Sequence, residues 1–221
     1  MKTNRRIHPA WIAAIVTFFT LVATAGFRSA PSVLIIPLQD AFGWHRDQIS
    51  LAIAINVLLY GLTAPFAAAL MERFTVRKVV MGALTTVSTG AFLTTLIHAP
   101  WQLIATWGVI VGIGTGSMAL VFAATVANRW FVKRRGLVIG GLTAAAAMGQ
   151  LIFLPGLTHL SGMYGWKSIG LTIGAAALLM VPMIFVFLRE RPADLGYLPY
   201  GAPDDWTPPA RSEMNAARLA I

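Results

Sequence analysis

The stretch "QISLAIAINVLLYGLTAPFAAALM", Gln48–Met71, runs without a single Asp, Glu, Lys or Arg and ends on "ERFTVRK", Glu72–Lys78. About 20 apolar residues in a helix cross the hydrocarbon core of a bilayer. A basic turn placed directly after such a run is a topology signal, because Lys and Arg stay on the side they start from. This one segment therefore reads as a transmembrane helix with a marked end. The whole composition agrees. Hydrophobic residues make up 57% of the 221, charged residues 11%, and the mean hydropathy is +0.72. A soluble domain carries roughly twice that charged fraction.

Working outward, six segments have the required length and character. They run over about 10–36, 48–71, 79–97, 101–128, 136–161 and 167–188. Basic residues alternate between the connections. Lys2, Arg5 and Arg6 precede the first segment, and Arg73, Arg77 and Lys78 follow the second. Arg129, Lys133, Arg134 and Arg135 follow the fourth, and Arg189 and Arg191 follow the sixth. The intervening connections hold only Arg46 and Lys167. The positive-inside rule then places both termini in the cytoplasm. The net charge of +9 is spread over these turns, which excludes a nucleic-acid face. The first apolar run is too long for the core of a signal peptide, of about 7–15 residues, and reads as a retained span. No Cys is present, so disulfides, thiol catalysis and thiolate-bound metals are excluded. No metal or cofactor is expected.

Small residues recur every four positions: Gly108 and Gly112; Gly136, Gly140 and Ala144; Gly141, Ala145 and Gly149; Gly170 and Gly174. Such spacing lets helices approach closely in lipid. Pro155 and Pro182 fall inside helical runs and should bend them. From Arg189 the apolar pattern ends, and residues 191–221 read as a flexible cytoplasmic linker. The chain thus divides into a bundle over 1–190 and this linker.

The turn Ala68-Ala69-Leu70-Met71-Glu72-Arg73-Phe74-Thr75-Val76-Arg77-Lys78 resembles the signature loop of the major facilitator superfamily, Gly-x-Leu-Ala-Asp-Arg-x-Gly-Arg-Arg. Glu72 stands for the Asp, Arg73 matches the Arg and Arg77 the last basic position. Ala68 and Thr75 replace the two glycines, so the match is degenerate. Gly26-Phe27-Arg28-Ser29-Ala30-Pro31, Arg129-Trp130-Phe131, Tyr164-Gly165-Trp166-Lys167 and Arg191-Pro192-Ala193-Asp194-Leu195-Gly196 extend it. Together they resemble the branch of monocarboxylate porters and oxalate–formate-type exchangers, from about Trp11 to Gly201. The resemblance implies the N-terminal six-helix bundle of a twelve-helix transporter in the plasma (cell inner) membrane, built as two inverted three-helix repeats. It also implies a small organic anion as substrate and a second six-helix half as partner. Whether the chain is a fragment, a truncated product or a half that pairs with another chain or a second copy stays open, as does a non-transporting scaffold.

Arg28 is the one charge inside an apolar run. An anion carrier would use it, since a guanidinium grips a carboxylate with two donors. The other reading is snorkelling: Arg28 lies roughly 26 Å beyond Trp11 at the helical rise, near an interface its side chain could reach. Asn56 and Tyr60, four apart, share a helix face, and Gln150 lies mid-helix in the fifth segment. These three either line a polar cavity or bond between helices. Glu72, Arg73, Arg77 and Lys78 either form a breakable charge network, as the resemblance implies, or serve topology alone. Arg129 and its neighbours read as topology. No catalytic residue is expected. Gly114-Thr115-Gly116-Ser117 and His159 do not make a protease pair, and His8, His45, His98 and His159 all fall near helix ends.

Overall fold

The computed structural model describes residues 8–203, and six helices account for nearly all of them. They are α1 Pro9–Phe42, α2 Arg46–Arg73, α3 Val76–Thr94, α4 Pro100–Trp130, α5 Arg135–Tyr164 and α6 Lys167–Phe187. Lys2, Arg5 and Arg6 lie outside the described residues, as does the linker beyond Pro203.

Five of the six are long and apolar enough to cross a membrane. The exception is α3, which carries Thr85, Thr86, Ser88, Thr89 and Thr94. Its hydroxyls are satisfied locally. Thr85, Thr86, Thr89 and Thr94 donate to the carbonyls four residues back, at 2.8 to 2.9 Å. Ser88 instead crosses to the Gly174 carbonyl on α6 at 2.9 Å. A hydroxyl bonded in this way no longer opposes burial.

The first helix is longer than the hydropathy run. It passes through Pro31 and Pro37 and stops only at Gly43, whose φ of 68° and N–H to Gln39 O form a left-handed cap. Its start is fixed by Pro9 in the first turn and by His8 Nδ1, which accepts from Ala10 N at 3.2 Å. The fourth helix is the irregular one. Ile104–Val111 is π-helical, and Ser117 and Met118 interrupt the ladder before Ala119–Trp130 resumes it.

The tightest packing pairs α1 with α5, α2 with α4 and α3 with α6. Exchanging helices 1–3 with 4–6 carries α1·α5 onto α4·α2 and leaves α3·α6 unchanged. That is the pairing expected of two three-helix units in inverted order. Glycines set the close approaches. A Cβ on Gly149 would lie 2.6 Å from Val22 O of α1, and one on Gly170 would lie 2.7 Å from Ala91 O of α3. Gly108 and Gly112 put α4 against Ala52 and Asn56 of α2. The stripe of Gly136 and Gly140 packs against nothing within 4 Å.

Residues 192–203, expected to open a flexible linker, are folded back onto the bundle. Tyr200 N donates to Trp130 O at 2.8 Å, and Val132 N donates to Tyr200 O at 3.0 Å. The Tyr200 ring sits edge-on to Trp11 and His8. Aromatic burial and paired backbone groups outweigh the Pro- and Gly-rich composition that reads as a linker.

Candidate functional site

The inner faces of α1, α2, α4 and α5 enclose an open cavity of about 760 Å³. Among the described residues, none of its lining comes from α3 or α6, which stand behind as supports. The walls are mostly apolar, with Leu21, Ile35, Val57 and Leu142 among them. Thr24, Ser32, Thr115 and Thr143 add hydroxyls, and the first two donate to α1's own carbonyls Leu21 O and Ser29 O. Among the described residues the lining holds one charge, that of Arg28, and no carboxylate.

The long α1 places Arg28. Phe42, where the helix ends, lies fourteen positions on, roughly 21 Å at the helical rise. It therefore lies near the middle of the helix. Its guanidinium turns across the cavity to α2, where Nη2 donates to the Tyr60 hydroxyl and Cζ lies 4.8 Å from the Tyr60 ring centre. The bond and the ring face together hold the cation in place.

All four residues singled out for substrate from the sequence line this one cavity. They do so differently. Asn56 reaches past it, donating from Nδ2 to Trp107 O on α4 at 2.7 Å. The interhelical bond and the cavity wall, alternatives in the sequence, are both present. Gln150 is exposed on α5, and its backbone carbonyl accepts weakly from Ser29 Oγ at 3.4 Å.

Among the described residues, Glu72, Arg73, Arg77 and Lys78 form no ion pair with one another. Glu72 and Lys78 are exposed. Arg73 lies over the Phe74 ring, 5.8 Å from its centre, and Arg77 lies over Phe185 of α6 at 4.2 Å. Among the described residues the one ion pair is Arg129–Glu190. Glu190 Oε1 also accepts from Val76 N at 3.2 Å, and Arg129 Nη2 donates to Met71 O at 3.3 Å. The pair thus ties together the ends of α2, α4 and α6 and the start of α3. Sequence reading missed Glu190 and assigned Arg129 to topology alone. The signal was a lone acid between Arg189 and Arg191, just past a span.

Two inverted three-helix units around an open cavity with a single cation define a membrane-embedded bundle of the transporter type. The model of the Major Facilitator Superfamily matches residues 14–214, and the chain belongs to that superfamily. It is 27% identical to the uncharacterized MFS-type transporter YcxA of Bacillus subtilis, over 87% of this chain and 47% of that protein. It is 29% identical to Monocarboxylate transporter 7 of Homo sapiens, over 77% of this chain and 32% of the relative. Monocarboxylate transporter 9 of Mus musculus is 29% identical over 76% and 33%. These relatives are transporters, not enzymes, in line with the absence of a catalytic set in the sequence. The chain spans a third to a half of their length.

Proposed function

We propose that the chain is the N-terminal half of a secondary transporter that carries a small organic anion, a monocarboxylate, across a plasma membrane by alternating access. The observation that carries this is Arg28, the one charge among the described lining residues of a large and mostly apolar cavity, presented from mid-helix and steadied by Tyr60. A lone cation in apolar walls favours a singly charged anion with a hydrocarbon body. A second carboxylate would find no partner among the described lining residues, and burying it unpaired is costly. In this reading Tyr60, Asn56 and Gln150 complete the polar contacts. The names of the relatives, among them monocarboxylate transporters, support the same substrate class.

The excess of basic residues in alternate turns supports a cytoplasmic position for both termini. Rocking requires a second six-helix body across the open cavity, supplied by the rest of a longer chain, another chain or a second copy. Arg129–Glu190, bonded to Val76 N and Met71 O on either side of Glu72 and Arg73 and next to Arg77 and Lys78, forms the cytoplasmic end that engages that body. The test is uptake of a labelled monocarboxylate by liposomes holding the complete transporter. Uptake by the wild type and none by Arg28→Gln is the expected result. Undiminished uptake by that variant overturns the assignment.

A further inference from the structure

Asn56 spans two environments. It lines the cavity, yet its Nδ2 holds the Trp107 carbonyl inside the π-helical stretch Ile104–Val111. Wide turns of this kind are rare, survive where neighbours hold them and collect at functional sites. Three features bear on this one. Gly108 lies against Ala52 O, and Gly112 against Cα and O of Asn56, with Cβ positions at 3.1 to 3.2 Å, so Asn56 sits beside a glycine notch in α4. The Gly112 N–H reaches back only three residues, to Val109 O, so a tight turn succeeds the wide one at once. The Trp107 indole is 1% exposed, and its Nε1–H has no partner among the described residues. A buried donor left unpaired is a cost that another arrangement would relieve.

We propose that Ile104–Val111 is a register switch in α4, and that Asn56 is the positioning residue that holds it wide and couples it to the cavity. The coupling rests on the anion reading above; the holding does not. A carboxylate is a stronger acceptor than an amide carbonyl. An anion in the cavity therefore draws the Asn56 N–H groups away from Trp107 O. The wide turn then narrows. A shift of one residue in helical register turns the downstream part of the helix by about 100°, and Thr115 and Met118 of the cavity wall lie in that part.

Hydrogen exchange of the complete transporter in lipid nanodiscs tests both parts. Without ligand, Asn56→Ala should speed exchange of the amides over 104–112 about tenfold, the fold-change one hydrogen bond is worth. Peptides from α1, α3 and α6 should not move, and Arg28→Gln should leave 104–112 as in the wild type. No change in Asn56→Ala, or loosening spread over every helix, overturns the holding role. In the second arm, benzoate is titrated into the wild type and should alter exchange over 104–112. Benzoate binding without that change overturns the coupling. No benzoate binding overturns the anion reading and the coupling with it, while the ligand-free arm still decides the holding role.

Discussion

At the scale of single residues, Arg28 and Tyr60 give the sharpest expectations. Arg28 is the only charge among the described residues of the cavity wall, so Arg28→Gln removes the attraction for an anion and leaves the α1 backbone untouched. Insertion should be normal and uptake lost, read by membrane fractionation beside a transport assay. Tyr60 makes two contacts with that guanidinium, a hydrogen bond and a ring face. Tyr60→Phe keeps the ring and deletes the bond. A hydrogen bond to a charged group is worth about 1.5–3 kcal/mol, so the apparent KM for a monocarboxylate should rise by roughly tenfold or more with little change in maximal rate. A variant with unchanged KM would show that Tyr60 does not position Arg28. Both residues were visible in the sequence as polar exceptions within apolar runs. Their partnership was not, because Arg28 and Tyr60 stand on different helices and no local spacing links them.

At the scale of helices, close packing separates glycines that look alike in sequence. On α5, a Cβ at Gly149 would meet Val22 O at 2.6 Å and the Ala25 methyl at 2.5 Å, whereas one at Gly140 meets nothing within 4 Å. Gly149→Ala must push α1 and α5 apart and should cost about 1–3 kcal/mol. Gly140→Ala should be neutral, or stabilising by about 0.5–1 kcal/mol through the helix preference of alanine. Thermal melts of the two variants in detergent check this, and equal midpoints would refute it. The number of helices and their order were legible because hydropathy marks the spans, α3 most weakly, and basic clusters mark every second turn. Three things were hidden. The first span reads as ending near residue 36, yet the helix runs on to its left-handed cap at Gly43. The π-helical stretch of α4 has no pattern of its own, since it is held by Asn56 from another helix. The Arg129–Glu190 pair joins residues 61 apart in sequence, and only the folded bundle brings them together. Its side chains are 22% and 20% exposed. Losing one partner of such a half-buried pair should cost about 1–3 kcal/mol, between the surface and buried cases. Glu190→Gln should therefore lower the melting point, while Glu72→Gln, at an exposed site, should shift stability by less than about 0.5 kcal/mol.

At the scale of the whole molecule, the open cavity constrains what this chain can be. Lipid tails cannot satisfy a guanidinium, and a charge at the bilayer centre costs roughly 3 kcal/mol or more. In a lone chain Arg28 would lie on a face bare to lipid, with only the Tyr60 hydroxyl and ring as partners. Large apolar side chains along the same helices are exposed as well, among them Val57 at 63% and Leu151 at 75%. Exposed apolar side chains are at home in lipid; a cation beside them is not. A second body that covers the cavity resolves the conflict, because it leaves the apolar outer faces to lipid and turns the polar wall inward. The relatives are two to three times as long as the matched region, which leaves room in each for such a body. Native mass spectrometry of this 23.7 kDa chain, gently extracted from its membrane, reads the outcome directly. The expected species is a complex of about twice that mass, or one with another membrane chain, that dissociates on harsher activation. If extraction yields a stable 23.7 kDa monomer, the bundle tolerates an uncovered Arg28, and the need for a second half to shield the cavity falls.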